Sequence, residues 1–269
     1  MPELPEVEHA ARCLRAWLTG VAVLRVEAPA SRIFRGGDPR LLSSTLAGRT
    51  LERVDRRGKV LLLAFDADVG VRSHLGMTGR WVRRGAGDDP SHSRARLMLA
   101  EGSVVHYCDP RLFGRLTIHR ASELGDLPDV RALGPDPLLD GIDPGALYAA
   151  LGRTSRAVKA ALLDQAILAG VGNIYATEAL FRARVHPARE ARSLTKREVA
   201  RVAEGLGGVF GEALARSEGE VAYLSDGAHV DNPFAVYDRA EEPCPRCRRP
   251  LSKMVIGGRT SAFCGRCQK

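Results

Sequence analysis

Behind the first methionine the chain reads PELPEVE, a proline followed by three glutamates. Removal of Met1, usual before proline, leaves Pro2 with a free secondary amine, a nucleophile able to attack a carbonyl-type carbon and form an iminium. Glu3, Glu6 and Glu8 read as acids that complement the positive end of a helix dipole. A second cluster is Cys244, Cys247, Cys264 and Cys267, two C-x-x-C pairs separated by sixteen residues. Four thiolates at this spacing complete a tetrahedral zinc shell and leave no open position, so the metal they imply is structural. Disulfides or a redox pair are the alternative, and a cytosolic chain with no thioredoxin-like context disfavours them. Cys13 and Cys108 read as ordinary buried thiols. Only five of the forty basic residues are lysines, among them Lys59 and Lys159. Each lysine is worth weighing, because lysine can lose its proton when buried and arginine cannot.

These residues need elements to hold them. From Val7 the apolar residues Ala10, Ala11, Leu14, Trp17 and Leu18 recur at helical spacing, with Pro5 in the first turn and Gly20 as a stop. After this helix, VAVLRVEA, TLERVDRRGKVLLLAFD, RARLMLAEG, VVHYCD and RLTIHR alternate or run apolar between glycine and aspartate turns, which predicts strands. A β-rich domain over residues 1–133, a sandwich of antiparallel sheets led by one helix, is the expected result. Residues 134–144, dense in Pro, Gly and Asp, read as a linker. Helical patterns occupy 145–217, in ALYAALG, RAVKAALLDQAIL, NIYATEALFRARV and TKREVARVAEGLGGVFGEALARS. Within them AGVGN breaks one helix and offers Asn173 as the cap of the next. Such a helix start presents unpaired N–H groups to an anion, although a glycine turn between helices is also an ordinary structural device. Residues 218–242 read as an irregular loop. In the cysteine module at 243–269, KMVI and TSAF read as strands and GGR as their turn, so Arg259 would ride on the tip of a zinc-stapled hairpin and face phosphate.

The 269 residues and 45% apolar content suit real cores in one or two domains. The absence of an eighteen-residue apolar run or a charged-then-apolar leader predicts a soluble cytosolic chain with no membrane partner. The net charge is +8, and seven of those charges fall between Pro243 and Lys269, which contains no acid. A polyanionic partner for a basic C-terminal module follows.

Taken in order, PELPEVE, RRGKVLLL, HLGMTG, DPRLFG, LLDQAILAGVGNIYATEALFRARVHP and FCGRCQ resemble the formamidopyrimidine-DNA glycosylases and their endonuclease VIII relatives across nearly the whole chain. PELPEVE with HLGMTG is similar to the formamidopyrimidine branch. The resemblance implies an α+β multidomain fold: an N-terminal antiparallel β-sandwich with its leading helix, a helix-two-turns-helix domain, and a C-terminal zinc-ribbon-type β-hairpin finger holding one structural Zn²⁺. It implies a monomeric, bacterial-type, nucleoid-associated enzyme of the cytoplasm. The implied partner is damaged double-stranded DNA, bound in a cleft between the domains. The implied chemistry is excision of oxidised purines through an N-terminal proline Schiff base, followed by β,δ-elimination at the abasic site. The lesion must first leave the base stack. In that chemistry Pro2 is the nucleophile, Glu3 moves protons at the opening sugar, Glu6 positions the N-terminus, Lys59 contacts phosphate and assists proton transfer, and Arg259 clamps phosphate for the second elimination. Met77, Arg111 and Phe113 correspond to the side chains that fill the gap left by the extruded base. His74, His92, Lys159 and Asn173 match further DNA-contact positions. Three departures stand out: Leu112 where arginine is usual, Thr154 where a basic residue is frequent, and a shortened stretch, SDGAHVDNPFAVYDR, in the region 218–242 that closes over the flipped base. An endonuclease VIII-like enzyme for oxidised pyrimidines and a non-catalytic damage-binding protein are the alternative readings.

Overall fold

A computed structural model describes residues 2–35, 37–217 and 232–269 in two units, Met1–Ala132 and Leu133–Lys269. Residues 218–231, most of the expected base-closing region, lie outside the described residues.

The first unit opens with α1, Leu4–Leu18, whose face of Leu4, Val7, Ala11, Leu14 and Leu18 is buried. Behind it come β1 (Ala22–Glu27), α2 (Pro39–Leu46), β2 (Arg49–Arg57), β3 (Val60–Phe65), β4 (Val69–His74), β5 (Arg80–Gly85), β6 (Ser93–Leu99), β7 (Ser103–Cys108), β8 (Arg115–Arg120) and the single turn α3 (Pro128–Arg131). The eight strands pair antiparallel in the order β5-β7-β6-β1-β2-β3-β4-β8. Hydrogen bonding runs on from β1 to β2, so the two layers of the expected sandwich are one continuous folded sheet. The two halves meet at a short β1–β2 pairing, and their inner faces share one core with α1 and α2. A bond from Trp81 Nε1 on β5 to Ser73 Oγ on β4, at 3.1 Å, ties the halves together.

The unbroken apolar run of β3 follows from its position. Leu61, Leu63 and Phe65 enter the shared core, while Val60, Leu62 and Ala64 pack beneath Ala121, Leu124 and Val130. A strand covered on both faces has no polar alternation to show.

In the second unit, the stretch expected as a linker is bonded into the helical structure: Gly134 N–H donates to Gln165 O, and Ala169 N–H to Pro135 O. Helices α4 (Pro144–Leu151), α5 (Val158–Leu162), α6 (Asn173–Ala183) and α7 (Lys196–Ser217) follow. The helix expected through RAVKAALLDQAIL stops at Leu162, since Asp164 and Gln165 turn the chain. Gln165 Oε1 accepts from Gly170 N–H at 2.8 Å, and its Nε2 donates to Leu163 O and Val171 O. The finger hairpin is β9 (Ser252–Ile256) and β10 (Arg259–Phe263), joined by Gly257 and Gly258. Arg259 therefore opens β10 and is not part of the turn.

Candidate active site and nucleic-acid interface

Glu3 and Glu6 are buried, at 0% and 1% exposure. Acids serving only a helix dipole stay in water, because burying a carboxylate is costly without compensation. Here the compensation is reciprocal: Glu3 caps α1 in a capping box, and Glu6 Oε2 accepts from Glu3 N–H at 2.6 Å. Pro2, also buried, sits directly ahead of this cap.

The third acid, Glu8, works differently. Its carboxylate meets Arg56 Nε at 2.8 Å, Arg12 Nε at 3.1 Å and Arg15 Nη1 at 3.6 Å. Burial alone would push its carboxyl up, but Arg56, with Arg12 and Arg15 behind it, carries it below the usual range. Arg56, 3% exposed, also donates from Nη1 to Gly58 O at 3.1 Å. Gly58 and Lys59 are the two-residue turn between β2 and β3, with Gly58 at φ +55 as a tight hairpin requires. The opening helix thus braces the turn that carries Lys59.

At the far end of β4 a second group forms. His74 Nδ1 accepts from Gly76 N–H at 3.0 Å, which leaves its proton on Nε2. Burial, followed by the charges of Arg72 and Lys59, lowers its pKa to about 4, against a small opposing pull from Asp129. The imidazole is therefore a neutral N–H donor at physiological pH. Met77 and Phe113 come from adjacent loops. Gly76, at φ +63, has the carbonyl carbon and oxygen of Phe113 at 2.4 and 2.5 Å from where a Cβ would lie, and a Cβ on Gly114 would sit 1.7 Å from Tyr107 Oη. Only glycine permits this approach. Phe113 is exposed at 48%, and the Arg111 guanidinium lies over its ring at 5.0 Å. Between them Leu112 adopts φ +57 and packs against the core, so the position where an arginine was expected faces inward. His92, also left-handed at φ +59, accepts through its carbonyl from Asp109 N–H. Asp109 is wholly buried, and its carboxylate accepts from Thr78 Oγ1 at 2.6 Å, Arg111 N–H at 3.2 Å and Gly114 N–H at 2.7 Å.

The second unit assembles its own group. Asn173 begins α6 as its first helical residue, with Gly172 at the cap position for which Asn173 was expected. Its Nδ2 donates to Thr260 O at 3.2 Å, while its buried Oδ1 has no hydrogen-bond partner among the described residues. Lys159, fully buried, donates from Nζ to Ser261 Oγ at 2.5 Å and Thr260 O at 3.3 Å. Both residues meet the strand of Arg259 one or two positions beyond it. Arg259 itself is exposed. Thr154 Oγ1 accepts from Arg156 Nε, placing a half-exposed guanidinium beside the position where a basic residue was expected.

The ligand atoms of Cys244, Cys247, Cys264 and Cys267 all lie within 4.8 Å of one another, with Cys244–Cys267 and Cys247–Cys264 at 4.0 and 3.5 Å. Zinc–sulfur bonds of about 2.3 Å in a tetrahedron give edges of about 3.8 Å, so the donor set fits one structural zinc. The module is fastened to α6: Arg246 Nη1 donates to Phe181 O at 2.7 Å, and Gln268 bridges Cys264 N–H to Val185 O.

Residues 1–116 match the formamidopyrimidine-DNA glycosylase N-terminal domain, 133–224 the H2TH domain of the same enzymes, and 241–269 the zinc finger found in FPG and IleRS. The chain is 42% identical over 276 residues to the formamidopyrimidine-DNA glycosylase of Thermus thermophilus, covering all of this chain and 98% of that one. The chain belongs to the formamidopyrimidine-DNA glycosylase family. Two solved structures of the Lactococcus lactis Fpg, one with abasic-site DNA and one with Fapy-dG DNA, superpose at TM-scores of 0.89 and 0.88 with 28% identity; each covers 99% of this chain, and this chain covers 99% and 100% of them. Among residues the sequence did not single out, Asp109 lies inside DPRLFG but was not marked as a site residue. Glu178 had no local signal at all: it is buried on α6 and accepts from Ala235, Val236 and Tyr237 N–H. Among the described residues no helix is long and apolar enough to cross a membrane.

Proposed function

We propose that this chain is a bifunctional base-excision repair enzyme that acts as a monomer on damaged double-stranded DNA in the bacterial cytoplasm. It removes oxidised purines and then cleaves the abasic strand. The observation that carries this reading is the pair of buried carboxylates locked directly behind Pro2. With Met1 removed, the Pro2 nitrogen attacks the anomeric carbon of the flipped nucleotide and the bond to the base breaks. Glu3 delivers the proton that opens the sugar ring, and a Pro2 iminium results. The iminium acidifies the C2′ proton, whose loss expels the 3′ phosphate; the conjugated iminium that remains acidifies the C4′ proton in turn, and its loss expels the 5′ phosphate. Glu6 holds the Glu3 peptide, and so the attacking nitrogen, in place. Lys59, on its braced turn, and Arg259, at the start of β10, bind the flanking phosphates and serve the eliminations. Met77, Arg111 and Phe113 enter the vacated base step, while His74, His92, Lys159 and Asn173 secure the backbone, directly or through the finger. Family membership and the DNA-bound Lactococcus structures favour this over a pyrimidine-directed or non-catalytic reading.

The shortened stretch SDGAHVDNPFAVYDR bears on lesion choice. A closing loop acts through backbone N–H groups on the flipped base, and each contact it lacks is worth about 1 kcal/mol, or several-fold in kcat/KM. Ring-opened formamidopyrimidines and abasic sites depend less on that cap than 8-oxoguanine does. On matched duplexes opposite cytosine, formamidopyrimidine should be excised with a several-fold higher kcat/KM than 8-oxoguanine. A preference for 8-oxoguanine would overturn the lesion ranking, and no excision of either would overturn the function.

A further inference from the structure

Asp109 joins three DNA-facing segments of the first unit. Its Oδ1 takes the Thr78 hydroxyl next to Met77 and the N–H of Arg111; its Oδ2 takes the N–H of Gly114, directly behind Phe113. Its own N–H reaches the His92 carbonyl at 3.0 Å, and its carbonyl accepts Arg94 Nε at 3.0 Å. The carboxylate is fully buried, although a purely structural acceptor at this depth could be a neutral group. Its setting explains the need for two acceptor oxygens. Each of its three donors belongs to one of two loops that carry Leu112 and the glycines Gly76 and Gly114 in left-handed or crowded backbone, conformations that persist only when their surroundings enforce them. A charged acceptor makes stronger bonds than an amide and tolerates donors on both oxygens.

We propose that Asp109 is the positioning residue of the wedge: it fixes Met77, Arg111 and Phe113 as one preorganised unit, so that the three side chains enter the base step together. It touches neither the lesion nor the orphaned base. The inference rests on the reading of those three residues as the gap-filling set. Asp109→Asn keeps the shape but turns an amide nitrogen toward at least one backbone or hydroxyl donor, which costs that bond and unlocks a loop.

The test uses the full chain and a duplex with 2-aminopurine beside a single oxidised purine, followed by stopped-flow fluorescence. Rates are normalised to active enzyme counted by borohydride trapping to completion on an abasic duplex. Asp109→Asn should slow the fluorescence phase that reports wedge insertion at least tenfold and lower kcat on the oxidised purine in step, with binding of undamaged duplex unchanged. A merely structural role would lower the active fraction and leave the rate per active molecule intact. Should Asp109→Asn not fold, Thr78→Val removes one donor without touching the backbone and should slow the same phase several-fold. Insertion at the wild-type rate per active enzyme, in Thr78→Val and in any folded Asp109→Asn, overturns the proposal. A wild-type chain that gives no insertion signal and no excision would instead overturn the functional reading beneath it.

Discussion

His74 shows how a single residue's surroundings set its chemistry. The backbone N–H of Gly76 claims Nδ1, and burial with two nearby cations lowers the pKa to about 4, so Nε2–H is a donor without a positive charge. The unfolded chain takes up this proton near pH 6.5 and the folded chain refuses it until about pH 4, so more protons bind the unfolded state across that window. Stability must therefore fall as pH falls through it, by up to about 1 kcal/mol per pH unit. His74→Gln removes the contribution: denaturant unfolding at pH 7 and pH 5 should show a smaller stability loss for the variant than for the wild type. Equal losses would mean that the imidazole is not held neutral. The zinc ligands were legible where chemistry restricts the choice, since the two C-x-x-C pairs named the four thiols that the fold brings together. Glu8, Arg56 and Asp109 were not legible, because their importance lies in partners 48 residues away in the case of Arg56 and Glu8, and in a fold that brings His92 to Asp109. Spacing carries no trace of such pairings.

At the scale of elements the amphipathic helix α1 and most strands could be read from period alone. Strands β4 and β5 could not: Gly70 and Arg72 interrupt the first, and three arginines with a closing glycine disguise the second. Helix α2, eight residues with only Leu42 and Leu46 buried, is too short for periodicity to register. The finger was the reverse case, since two C-x-x-C pairs announce a metal site and KMVI and TSAF announce the strands between them. Its hairpin has little apolar cover of its own, with Val255 72% exposed, so the metal and the anchor to α6 must hold it. One zinc per chain is expected by metal analysis, and Cys247→Ser or chelation should collapse the hairpin and weaken binding to damaged and undamaged duplexes alike, because phosphate contacts carry no base information. Active protein free of zinc, or a variant that loses only lesion discrimination, would contradict this account of the finger.

Across the whole molecule the charge distribution and the chemistry separate. The first unit holds Pro2 with Glu3 and Glu6, the Lys59 turn and the loops of Met77 and Phe113, while seven of the eight net positive charges fall in the last 27 residues of the second. Such a division suits a protein in which one part reacts with the lesion and the other grips the backbone at a rate set by electrostatic attraction. The order of the motifs in the sequence already announced that division; the bonds that brace each part internally, Glu8–Arg56 and Asp109 in one, Lys159 and Arg246 in the other, became visible only in three dimensions. In the proposed reaction the amine of Pro2 does the covalent work. That role is tested most directly by borohydride reduction of methionine-trimmed protein on an abasic or oxidised-purine duplex, with the crosslinked peptide mapped by mass spectrometry. A single adduct on Pro2 that disappears in Pro2→Ala is expected; an adduct that maps to Lys59, or trapping by Pro2→Ala as efficient as by the wild type, would contradict it.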